Sequence, residues 1–121
     1  MLFRSAGERL FEEGDDGDRL YLLLAGSVSV LSRPGADGRS RRYLSISPGM
    51  LLGETALLDG GGRTAGAVAD TEAELVALDG AALAALEREH PALAARLYRR
   101  IAVHLSQRLR AAAATWRDVA D

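Results

Sequence analysis

At 121 residues and 48% hydrophobic content, the chain is long enough to bury one core and too short for two ordinary domains. Its 15 basic residues against 17 acidic ones leave a net charge of -2, which offers no positive face to a nucleic-acid backbone, so no direct nucleic-acid partner is expected. The absence of cysteine excludes a disulfide framework, a thiolate nucleophile and a cysteine zinc site, and no apolar run reaches the roughly 20 residues of a membrane span or has the form of a signal peptide, so a cytoplasmic domain is expected.

In chain order, Leu2 to Arg4 and Arg9 to Glu12 are short strand candidates ahead of the turn-rich Gly14-Asp15-Asp16-Gly17-Asp18. The apolar run Leu20 to Leu24 is too short and too tightly bounded for a helix and reads as a buried strand. Beyond Gly26, Val28 and Val30 alternate with Ser27 and Ser29, and the loop Arg33-Pro34-Gly35-Ala36-Asp37-Gly38 turns the chain into a partner strand, Arg42 to Ile46. Ser47-Pro48-Gly49 is a turn. Thr55 to Leu58 has helical composition inside a glycine-rich stretch from Gly53 to Gly62, and Thr64 to Val68 and Ala73 to Leu78 read as two further strands. At Asp79-Gly80 the period changes from two to 3.6, which predicts one helix at 80–89 and, with Pro91 in its first turn, a second at 91–117.

The chemistry concentrates in Leu52-Gly53-Glu54-Thr55-Ala56-Leu57-Leu58 and Arg63-Thr64-Ala65. A short helix from Glu54 leaves its first backbone N–H groups open to an anion, Gly53 allows close approach, and the glycines at 60–62 let the chain reverse so that Arg63 returns over the same place. Arg63 carries a planar, charged fork suited to two phosphate oxygens. Glu54, an acceptor when ionised, suits sugar hydroxyls rather than phosphate. One acceptor for a sugar and one fork for a phosphate describe a nucleotide site. The plainer alternatives are a helix-start acid at 54 favoured by the helix dipole, and an exposed arginine at 63 paired with Asp59.

The order Gly-Glu-x-Ala-Leu-Leu, four residues, then Arg-Thr-Ala resembles the phosphate-binding cassette of the cyclic-nucleotide-binding domain family. Gly7-Glu8, Gly14-Asp15, Asp18 to Leu24, Gly26 to Val30 and Pro48-Gly49 are similar to the family's strand and turn signatures, so the resemblance covers nearly the whole chain. It implies an α+β, mainly β fold: an antiparallel β-roll (a double-stranded β-helix, jelly-roll-like) over residues 1–79 with a cassette helix and C-terminal helices, all one domain over 1–121. It implies cyclic AMP or cyclic GMP as ligand, no other cofactor, no metal and no catalysis. Glu54 matches the ribose 2′-hydroxyl acceptor and Arg63 the phosphate arginine. The backbones of Gly53, Thr55, Ala56 and Ala65 match the cradle amides, and Thr64 the position of a further hydroxyl contact. Val30, Tyr43, Ile46, Leu51 and Leu52 fall where apolar side chains line sugar and base, and His104, Arg108 and Leu109 where the last helix caps the base as a lid.

Two departures stand out. Gly62 replaces a common proline, which loosens the unfolded chain by about 0.4–1 kcal/mol. Gly66 removes a possible hydroxyl donor, a hydrogen bond of about 0.5–1.5 kcal/mol. The domain is expected to relay occupancy through its last helix to a second copy or a fused effector; the alternatives are a ligand-free structural or dimerisation module and a sensor of another anionic metabolite. A metal-binding enzyme of the cupin type is disfavoured because both histidines, His90 and His104, fall in the helical tail. Along that tail Tyr98, Ala102, Leu105, Leu109, Ala112 and Trp116 alternate steps of four and three, a coiled-coil seam spacing. Packing within the domain's own core is the expected use of this series, pairing with a second copy the alternative, and Arg96, Arg99 and Arg100 are expected to form a solvated face.

Overall fold

The computed structural model describes residues 1–120; Asp121, the last residue of the expected domain, lies outside them. The described residues divide into two compact units, one from Met1 to Ala82 and one from Leu83 onward.

The first unit is built from two four-stranded antiparallel sheets. One has the order β1 (Leu2–Arg4), β8 (Ala73–Asp79), β3 (Arg19–Ala25), β6 (Leu51–Leu52); the other has the order β2 (Arg9–Phe11), β7 (Gly66–Ala69), β4 (Val28–Leu31), β5 (Arg42–Ile46). Alternation along the strands turns one face of each sheet inward. Tyr21, Leu23, Leu52 and Leu75 from the first sheet and Val28, Ile46, Ala67 and Ala69 from the second form one buried cluster. Alanines on β7 facing leucines and aromatics let the sheets approach without overpacking.

The expected β5 matches residue for residue. The Thr64 to Val68 strand runs instead from Gly66 to Ala69, because the backbone just before it is spent on the Gly14-Asp15 turn: Gly14 N–H donates to Arg63 O at 2.8 Å and Arg63 N–H to Asp15 O at 2.7 Å. The two-residue β6, paired to β3 through Tyr21↔Leu52 and Leu22↔Leu51, is too short to carry a period and was not anticipated.

A single short helix, α1 (Glu54–Asp59), lies between β6 and β7. Its packing requires a bare backbone at Gly17, where a Cβ would fall 2.0 Å from that of Ala56. Helix α2 (Gly80–Glu89) begins in the first unit and has the predicted bounds. In the second unit α3 runs from Pro91 to Ala120, beyond the predicted end at 117. The Tyr98 hydroxyl donates to Glu87 Oε1, joining α3 to the end of α2. That hydrogen bond raises the phenol's pKa above its ordinary value, with partial burial adding to it.

Candidate functional site

The site is centred on α1 and the segment that follows it. Gly53 sits at the helix N-cap with φ 80°, a left-handed conformation that costs other residues strain, and supplies no side-chain cap to the first turn. A Cβ there would also lie 2.5 Å from Arg63 Nη1. Gly60 closes the helix at φ 73°, its N–H donating to Ala56 O at 3.1 Å. The two glycines confine the helix to six residues and return the chain past its own start.

Arg63 is the centre of this arrangement. Its side chain is turned inward and the residue is only 5% exposed. Nη1 donates to Gly53 O at 2.8 Å and Nη2 to Arg19 O at 2.7 Å. The guanidinium carbon lies 4.2 Å from the centroid of the Phe11 ring and 5.8 Å from that of Tyr21. Those rings are themselves stacked, 5.9 Å apart with 22° between their planes. Nε is buried without a hydrogen-bond partner. Burial lowers the arginine's pKa, opposed by Tyr21 and Asp18, but a guanidinium stays charged at any ordinary pH.

The expected alternative of an Arg63–Asp59 pair is not what forms: Asp59 accepts the Gly61 N–H at 2.8 Å instead. Among the described residues no carboxylate forms an ion pair with Arg63. Asp18, the nearest acid in sequence to Arg19, is engaged by the Arg19 side chain at 3.1 Å, which holds its carboxyl below the usual range. The result is a nearly buried cation balanced by carbonyl dipoles and aromatic faces, with donor capacity left over. Glu54, one residue beyond the Gly53 carbonyl, is 1% exposed, so an acid and a base are both sequestered within this short stretch. A buried charge costs several kcal/mol unless something compensates it, and for Arg63 two carbonyls and two aromatic faces do so.

The family profile for the cyclic nucleotide-binding domain matches residues 3–90. The chain belongs to the cyclic nucleotide-binding domain family. It is 42% identical over 106 residues to the cyclic AMP receptor protein of Thermus thermophilus, covering 88% of this chain and 47% of that one. It is 34% identical over 99 residues to a CRP-like cAMP-activated global transcriptional regulator of Mycobacterium tuberculosis, covering 82% and 44%. The crystal structure of the Thermus thermophilus catabolite activator protein superposes with a TM-score of 0.81 at 36% identity, over 98% of this chain and 54% of that one. The chain thus spans about half the length, or less, of these relatives.

Within this cyclic nucleotide-binding domain the remaining candidates divide. Ala56 and Ala65 are buried, Thr55 is half-buried and Thr64 is exposed. Leu51 and Leu52 are both buried, on β6 directly before Gly53, and Ile46 belongs to the core cluster with Val30 packed against it. Tyr43 departs from the expected lining: it is 63% exposed. It lies three residues from Ile46 on β5, and a strand's two-residue period puts residues three apart on opposite faces. His104 and Arg108 are half-buried on α3, in the second unit, and Leu109 is 71% exposed.

The seam series expected in the core is buried only in part: Tyr98 and Leu105 are half-buried and its other four members are exposed. Leu109 and Trp116 are each 71% exposed and Ala102 and Ala112 are open, while Ala94 and Ile101 are the buried positions of α3. Val119, also exposed, extends the series by another step of three. Phe11, Tyr21 and the Arg19 carbonyl are site components that the sequence reading missed. The carbonyl has no sequence signal; an aromatic residue closing a strand just before a Gly-Asp turn is the signal available for Phe11. Among the described residues no cluster of histidine and carboxylate groups could hold a metal ion, and no helix is long and apolar enough to cross a membrane.

Proposed function

We propose that the chain binds a cyclic nucleotide, cyclic AMP before cyclic GMP, as a sensory module. Arg63 meets the cyclic phosphate and Glu54 the ribose 2′-hydroxyl. The backbone of Gly53, Thr55, Ala56 and Ala65, with the Thr64 hydroxyl, surrounds the phosphate, and Val30, Ile46, Leu51 and Leu52 form the apolar side. The observation that carries this reading is the buried Arg63 guanidinium, held by two carbonyls and two aromatic rings: a phosphate supplies the charged partner that these neutral groups do not, and a desolvated charge pair is strong. The names of the relatives support cyclic AMP. A site that had abandoned its ligand would keep the cost of burying Arg63 without return.

Occupancy is relayed through α3, with His104, Arg108 and Leu109 as the residues that answer to the base. A ligand that binds one arrangement of the helix better than another shifts the population toward it. The exposed apolar series on α3 has the spacing to pair with a second copy. The domain works in the cytoplasm, without catalysis of its own.

Calorimetric titration with cyclic AMP and cyclic GMP, beside an Arg63→Ala variant, tests the reading. Binding at micromolar concentration or tighter is expected, weakened in the variant by about 2–5 kcal/mol. No heat from either nucleotide with the folded protein would refute it.

A further inference from the structure

The arginine that would meet the phosphate is not positioned by its hydrogen bonds alone. Two N–H donors on opposite arms of a guanidinium fix two points and leave the plane free to tilt about the line between them. The third constraint is an aromatic face. Phe11 ends β2, whose pairing with β7 sets Phe11 opposite Ala67, a few residues beyond Arg63 in the same run of chain. That register brings the ring to 4.2 Å from the guanidinium carbon, inside the distance at which a cation is attracted to an aromatic quadrupole. Tyr21, on the other sheet, stacks on Phe11 from 5.9 Å and keeps that ring from turning.

We infer that Phe11, backed by Tyr21, is a positioning residue for the ligand: its ring sets the plane in which Arg63 presents its fork. This rests on Arg63 being the phosphate residue. It assigns to an apolar strand residue, with no polar atom to offer a nucleotide, a part in affinity exerted through Arg63. A leucine or methionine at 11 would fill much the same volume and keep the core packed, but would remove the π face. A tyrosine would keep it.

The test compares the wild-type protein with Phe11→Leu, Phe11→Met and Phe11→Tyr by two measurements. The first is the NMR resonance of the Arg63 Nε–H in the ligand-free protein, which a ring above the guanidinium shifts by its ring current. The second is the calorimetric affinity for cyclic AMP. The inference expects the resonance to move in the Leu and Met variants and to stay near its wild-type position in the Tyr variant. It expects affinity to fall by about three- to thirty-fold in the first two and to recover in the third. An unmoved resonance overturns it, and so does a moved resonance with wild-type affinity, or a well-folded Tyr variant that binds as poorly as the Leu one. If the wild type binds no cyclic nucleotide, the functional reading falls and with it the ligand part of the inference, while the resonance still decides whether the ring holds the arginine.

Discussion

The cassette and the last helix invert the usual partition of a protein in opposite senses. Around α1, charge that belongs in water is buried: Glu54 is 1% exposed and Arg63 5%. Along α3, apolar surface that belongs inside is in water: Leu109 and Trp116 are each 71% exposed and Val119 75%. Exposed leucines are common in soluble proteins, and a nearly buried arginine without a carboxylate is not. The informative feature of each region is therefore its departure from that partition: a guanidinium held by carbonyls and aromatic rings in the cassette, and an exposed apolar stripe on the helix.

The comparison can be broken most sharply at Arg63. Its replacement by alanine should remove about 2–5 kcal/mol of nucleotide binding and leave the state of association unchanged, as read by calorimetry and sedimentation on the same preparation. On the helix, the double substitution Leu109→Ser and Trp116→Ser should weaken self-association by about 2 kcal/mol or more, the usual weight of a buried interfacial tryptophan. It should leave the melting of the β-roll where it was; a dimer that persists would show that the seam is not the contact. Next, Gly53→Ala should cost about 1–3 kcal/mol of stability by forcing a side chain into left-handed backbone. Because the new Cβ would lie 2.5 Å from Arg63 Nη1, binding should fall as well, which separates this glycine from those that serve only turns.

A smaller effect of opposite sign is expected at Gly62, whose φ is not positive and where a Cβ would meet only ordinary contacts, the nearest 3.4 Å away at Gly14 O. Gly62→Ala should stabilise the domain by about 0.4–1 kcal/mol, measurable by urea unfolding. Smallest is the pH response of the second unit. The Tyr98 phenol binds its proton more tightly in the folded chain than ordinarily. Its contribution is therefore whole below the ordinary tyrosine range and is lost as pH rises through the raised value. Absorbance titration should show a late phenol that disappears in Tyr98→Phe.

Periodic elements were legible in the sequence, and contacts between residues distant along the chain were not. Arg42 to Ile46 and the helix at 80–89 follow from an alternation and from a change of period at Asp79-Gly80, both local properties. Glu54 and Arg63 could be singled out because a glycine-rich cassette keeps them close along the chain. Phe11 had only the weak signal of an aromatic residue closing a strand before a Gly-Asp turn, since its place beside Arg63 depends on the β2–β7 register, and the Arg19 carbonyl had none, since every residue has one. Tyr43 lies on the face of β5 opposite Ile46, a difference that the two-residue period of a strand makes readable. The exposure of the seam was not legible because spacing shows that a helix has an apolar stripe without showing what covers it.

The steric conflict between a side chain at 53 and the guanidinium at 63 makes these two positions a single inherited character. A lineage that substitutes position 53 while the arginine is still folded inward meets the backbone strain and must also displace the end of the guanidinium, so the two changes are felt together. Once Arg63 is lost, only the backbone strain still holds position 53 to glycine, and drift there becomes far easier. Packing thus couples the two positions, and in a descendant of this domain a bulky residue at 53 would mark an arginine no longer folded inward.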